Sequence, residues 1–150
     1  MQADNKTQIV YNFKNTCHSC FNDIEFPLPG DFSYGELIFQ TKDGHDFCIA
    51  VLIDNATFNF IIETLKYDKE LKSKKADPQK ILALLADKIN GKEFTTDYPI
   101  CPFCKKRQKH FNDNVRTSKR ELHFATWNDF ESMTPDNKIE QIKEFAYNLT

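Results

Sequence analysis

The chain has 150 residues, 40% of them hydrophobic and 28% charged, with a net charge of -2. That balance excludes an apolar-poor disordered chain, and the length suits one domain able to bury its own core. No apolar run is long enough to cross a bilayer and Met1 to Lys6 lacks a secretory pattern, so the sequence predicts a cytoplasmic protein with no membrane partner.

Gln8 to Phe13 alternates as a strand does, with Ile9, Tyr11 and Phe13 on one face, and Ile24 to Leu28 resumes the extended pattern after a turn. Glu36 to Thr41, the turn Lys42-Asp43-Gly44 and the apolar run Phe47 to Ile53 read as a hairpin. Phe47, Ile49, Val51 and Ile53 alternate with Cys48, Ala50 and Leu52, so both faces of the second strand read as buried, which predicts a central place in its sheet.

Asp54 or Asn55 then caps a helix through Phe58, Ile61, Ile62 and Leu65, although Phe58, Phe60 and Ile62 also fit a strand. Lys66 to Ala76 reads as a charged, solvated helix end or linker. Asp77-Pro78 opens a helix carrying Ile81, Leu82, Leu84, Leu85 and Ile89, stopped by Gly91. Leu122 to Trp127 suits one more strand. Thr134-Pro135 opens a last helix whose Ile139, Ile142, Phe145 and Leu149 form one stripe. The fold class expected is α+β, with small antiparallel sheets and two to three helices.

Five cysteines in a chain without an export pattern argue against a disulfide framework, because a reducing compartment keeps thiols free and an odd count leaves one over. Four of them form the pairs Cys17-His18-Ser19-Cys20 and Cys101-Pro102-Phe103-Cys104. Cysteines three apart on a tight turn can aim both sulfurs at one ion, and two such turns complete a closed tetrahedral Zn²⁺ site, one per chain. Such a site is structural, since zinc catalysis needs an open coordination place.

These turns resemble the zinc-ribbon group, in which two cysteine knuckles at the tips of short strands clasp one zinc. The resemblance covers residues 8–28 and 98–127. It implies a zinc module in two pieces, because 80 residues separate the pairs here whereas about 15–20 is usual. A hairpin and helices of residues 32–94 would form an insertion, followed by the C-terminal helix 134–149, all within a single domain 1–150.

Two rivals compete for the same cysteines. Cys101-Pro102-Phe103-Cys104 looks like the redox turn of glutaredoxin-type proteins, which makes a thiol oxidoreductase one alternative; the basic, stripe-free stretch Lys105 to His110 argues against it. A variant site using His110 or His123 is unnecessary with four cysteines present.

Charge is unevenly spread. Residues 101–123 carry 7 basic and 2 acidic side chains, against 11 and 15 in residues 1–100 and 2 and 5 in residues 124–150. The cations Lys105, Lys106, Arg107, Lys109, Arg116, Lys119 and Arg120 either compensate the negative metal site or, with Phe103, His110 and Phe111 interleaved, bind nucleic acid through residues 103–120. Elsewhere, Cys48 reads as a core thiol, His45 as a turn residue, and His18, His110 and His123 as surface or packing residues. No Ser/His/acid set, phosphate loop or paired carboxylates stand out. The function expected is a non-enzymatic, zinc-stabilised interaction domain whose partner is another protein; its acidic sections would suit a basic partner, as for a small inhibitor of the immunity type. The other alternative is a nucleic-acid-binding zinc-ribbon protein.

Overall fold

The computed structural model describes residues 6–28, 35–108 and 116–149. Lys109, His110 and Phe111 lie outside them. The elements in chain order are β1 (Thr7–Thr16), β2 (Asp23–Leu28), β3 (Glu36–Thr41), β4 (Phe47–Val51), α1 (Ala56–Tyr67), α2 (Pro78–Leu85), β5 (Phe94–Thr95), β6 (Arg116–His123), α3 (Asn128–Glu131) and α4 (Pro135–Leu149). They form two antiparallel three-stranded sheets, ordered β2-β1-β6 and β4-β3-β5, and four helices among the described residues, so the fold is α+β as expected.

The β3–β4 hairpin lies between two apolar clusters. Its register sets Phe39 opposite Cys48 and Leu37 opposite Ala50, and these four pack with the helices, around Ile61, Leu71, Ile81, Leu82 and Ile142. Ile38 opposite Ile49 points the other way and meets Val10 and Leu122 of the first sheet. Period-two alternation thus sends one strand's side chains into two cores. The larger cluster draws Phe39, Ile61 and Phe94 from residues 32–94 and Trp127, Phe130, Ile142 and Ala146 from beyond the second cysteine pair. Trp127 donates its indole N–H to the carbonyl of Leu82 at 2.9 Å, which lets a large polar-tipped ring sit in that core.

Several local expectations need correction. β3, not β4, is the central strand. β4 is covered on both faces, and its outer edge is met by residues 124 and 125, through a bridge from Ile49 to Phe124 and a 2.7 Å bond from the Ala125 N–H to the Ile49 carbonyl. Alternation reports burial of faces and is silent on ladder partners.

In β1, Phe13 is buried while Ile9 and Tyr11 are exposed, and Val10 and Asn12 take the buried places beside it. The β1–β2 register runs unbroken from Tyr11 to Thr16, so Tyr11 and Phe13 share a face as expected and Arg116 lies over both rings; the extra residue of the β1–β6 shift, three steps from Lys119 to Arg116 against two from Tyr11 to Phe13, belongs to β6.

The helix at residues 56–67 forms, with Asn55 rather than Asp54 as its cap; the Asn55 side chain accepts from the Phe58 N–H at 2.9 Å. The stretch after it is no solvated linker, because Leu71 is fully buried in the main core. α2 stops at Leu85 instead of running to Gly91. Asp87 leaves the helix to receive the Asn128 and Asp129 N–H groups and the Thr126 hydroxyl, so it caps α3 from a distance. Asn90 and Gly91, both at positive φ, then form a tight turn bridged by Ile89 and Lys92. Asn90-Gly91 is a turn signal that the helical reading of Ile89 overrode.

β6 begins at Arg116, earlier than the strand read from Leu122, and Trp127 lies at the start of α3. α4 starts as expected, with the Thr134 hydroxyl accepting from the Asn137 N–H, but its buried residues are Ile142 and Ala146 while Leu149 is exposed. No helix among the described residues is long and apolar enough to cross a membrane.

Candidate metal centre

Both cysteine pairs fold into the same local turn. In the first, the Phe21 N–H donates to the Cys17 carbonyl at 3.0 Å and the Cys17 N–H to the Asn22 carbonyl at 2.9 Å. In the second, the Lys105 N–H donates to the Cys101 carbonyl at 2.8 Å and the Cys101 N–H to the Lys106 carbonyl at 2.9 Å. Phe21 and Lys105 hold equivalent places, and both adopt left-handed backbone, φ 62° and 65°. That reversal lets each turn close while both of its sulfurs face inward.

The turns bring the sulfurs of Cys17, Cys20, Cys101 and Cys104 within 4.8 Å of one another. The cross-knuckle separations are 3.6 Å for Cys17 to Cys104 and 3.7 Å for Cys20 to Cys101. Four thiolates about 2.3 Å from a central ion stand about 3.8 Å apart at the corners of a tetrahedron, so the donor set fits one four-coordinate metal ion. The cysteines are free thiols, and these gaps are far beyond a disulfide's about 2 Å. Cys48, the fifth, faces the main core, where burial pushes its thiol well above the ordinary value.

The sulfurs sit in unequal surroundings. The Cys20 backbone N–H, with smaller help from those of Ser19 and the Gln108 amide, outweighs desolvation and holds the Cys17 thiol down at about 6. Asn22, bonding through backbone and side chain, lowers that of Cys20. Burial pushes Cys101 up to about 12 despite N–H groups from Cys104 and Phe103. A divalent ion removes this inequality, because coordination deprotonates a thiol outright and the ion's charge offsets the cost of burying the thiolate.

Two buried glutamines hold the centre, and the sequence reading named neither. Gln108 donates to the Cys17 sulfur at 3.3 Å and to the Lys106 carbonyl, and accepts from the His18 N–H, so it ties the second knuckle to the first. Gln40, on β3, accepts from the Ile100 N–H at 2.7 Å and donates to the Ile100 and Gly44 carbonyls, fixing the approach to Cys101 onto the hairpin turn. Gly44, at φ 82°, lies against that approach; a Cβ there would stand 3.0 Å from the Ile100 oxygen and the Pro102 Cα. Isolated glutamines carry no motif. Only their places in the fold reveal their role.

The six basic residues of that set among the described residues are distributed. Lys105 folds its ammonium onto the carbonyls of Asp43 and Pro102, beside His45. Lys106 and Arg107 are exposed on the second knuckle. Arg116 and Lys119 lie over the Tyr11 ring, at 4.7 and 5.7 Å, while Arg120 lies over Phe47. His18, His45 and His123 are exposed.

Comparison with known proteins finds no matching family model, no matching curated protein and no matching solved structure.

Proposed function

We propose that this chain is a zinc-stabilised, non-enzymatic domain whose role is to bind another protein. The observation that carries the reading is the sulfur set: four cysteines from two sequence-distant turns meet within 4.8 Å, which is enough to fill the four coordination places of a tetrahedral ion. Zinc is the ion of choice because four thiolates in tetrahedral array select it among abundant divalent metals. The same saturation disfavours the thiol oxidoreductase, since cysteines committed to a metal are withdrawn from redox exchange.

Elemental analysis of the purified chain tests the metal, with one zinc per chain expected. Cobalt substitution tests the closed shell: the expected spectrum is that of a tetrahedral tetrathiolate, unmoved by added azide. A spectrum that shifts with azide would mean an open position and return catalysis to consideration. For the partner class, chemical crosslinking in cells is expected to join the chain to protein; crosslinks to nucleic acid alone would overturn the protein-binding reading.

A further inference from the structure

Phe21 is the most exposed large apolar side chain among the described residues, at 77%, and Phe103 is 62% exposed. Both stand on the turns that grip the metal: Phe21 directly follows Cys20, Phe103 directly precedes Cys104, and the two sulfurs lie within 4.8 Å of each other.

Folding gives no reason for a phenylalanine at position 21. Its contribution to the turn is made by the backbone N–H that bonds the Cys17 carbonyl. Its φ of 62° is a conformation that glycine or asparagine adopts easily and that costs a bulky residue about 1–2 kcal/mol. The equivalent Lys105 shows what a side chain there can do for the fold, by reaching back to the Asp43 and Pro102 carbonyls. Phe21 points instead to solvent. A bulky apolar group held exposed on strained backbone is accounted for by something that covers it.

We propose that the metal-clasp end of the molecule is a docking face, on which an acidic segment of a partner protein covers Phe21 and Phe103 with apolar side chains. This rests on the protein-binding reading and deepens it. The knuckle backbones, locked by their hydrogen bonds and the ion, present both rings already ordered, so little entropy is lost on docking. Lys106 and Arg107, exposed on the same knuckle as Phe103, set the charge of the complement.

A nucleic acid fits less well. Lys105 is already bound internally, which leaves Lys106 and Arg107 on this knuckle, fewer cations than the several phosphate contacts by which a nucleic-acid strand is held.

The test is selection of a random displayed-peptide library on the zinc-loaded chain, followed by affinity measurement on a Phe21→Asn/Phe103→Ser variant. Asparagine suits the left-handed backbone, and both positions are exposed, so zinc content and melting temperature serve as the folding check. Peptides rich in Asp, Glu and apolar residues are expected, with binding at least about tenfold weaker in the variant. Should that variant lose zinc, Lys106→Glu/Arg107→Glu replaces it, with the same direction expected and a loss that shrinks as salt rises. Peptides that bind the variant as tightly as the parent chain would overturn this inference and leave the protein-binding reading standing. Enrichment of no peptide would overturn the inference as well, and if a short oligo-dT strand bound in its place, the wider reading would fall too.

Discussion

The two halves of the metal clasp share a backbone and differ in what anchors them. Both turns make the same pair of hydrogen bonds and both use a left-handed residue after the second cysteine. The second is built into the hairpin beneath it: Gln40 holds Ile100, Gly44 packs against Pro102, and Lys105 reaches the Asp43 carbonyl. The first has Asn22 on its own sulfur and Gln108 from across the site. The second knuckle is thus bedded on a separate hairpin through side chains, whereas the first rests on its own ladder, with Thr16 opposite Asp23 at its base, and Gln108 ties the two together. A short motif specifies a turn, whereas the rigidity of that turn comes from its bedding.

Loss of a ligand is the largest expected effect and should strike both jaws alike. Cys17→Ser and Cys101→Ser should each lose zinc and destabilise the whole domain, since structural zinc contributes binding free energy on the order of 10 kcal/mol to folding. Metal content and thermal melting read this out. Full zinc in either variant would mean that the four sulfurs do not share one ion.

The asymmetry itself is tested by the glutamines. Gln40→Ala leaves the buried Ile100 N–H and two carbonyls without their partner, for an expected loss of about 3 kcal/mol in urea denaturation, against about 1 kcal/mol for Gln108→Ala. Equal losses would show that the first jaw is bedded as firmly as the second.

Gly44→Ala comes next. It sets a Cβ against the Ile100 and Pro102 backbone at positive φ, and about 2 kcal/mol should be lost, with the damage confined to the second jaw in amide chemical shifts.

The smallest effect concerns Asp43, in the turn that beds the second knuckle. The Lys92 ammonium, 2.7 Å away, together with the Thr41 hydroxyl and the His45 N–H, holds its carboxyl far below the usual carboxylate range. A carboxyl depressed by folding adds stability that is complete above its unfolded value, about 3.9, and is lost as pH falls through the folded one. The stability gap between the parent chain and Asp43→Asn should thus be constant near neutrality and shrink below about pH 4. A gap that stays level in acid would mean that the ion pair contributes nothing.

Much of this was legible in advance, and the legible parts have local causes. The β3–β4 hairpin, α1 and the starts of α2 and α4 follow from period, turn residues and caps, all of which act within a few positions. The cysteine pairs were readable as a joint site because thiol chemistry needs four donors and the chain offers two matching pairs. What misled were residues whose local signal was overruled from afar. Asp87 leaves a helix it could have continued in order to cap α3. Leu71 sits in a charged stretch yet fills the main core, and Phe13 is buried although Tyr11, on the same face of β1, is exposed.

By itself, then, the sequence determined the α+β class, the two knuckle turns and the four sulfurs they present, because each depends on spacings of three or four residues. The tertiary structure alone decided which strand is central, that Gln40 and Gln108 brace the centre, and that Phe21 and Phe103 face solvent at the clasp. Those outcomes depend on which surfaces meet across gaps of 60 to 91 residues, and no short-range pattern encodes them.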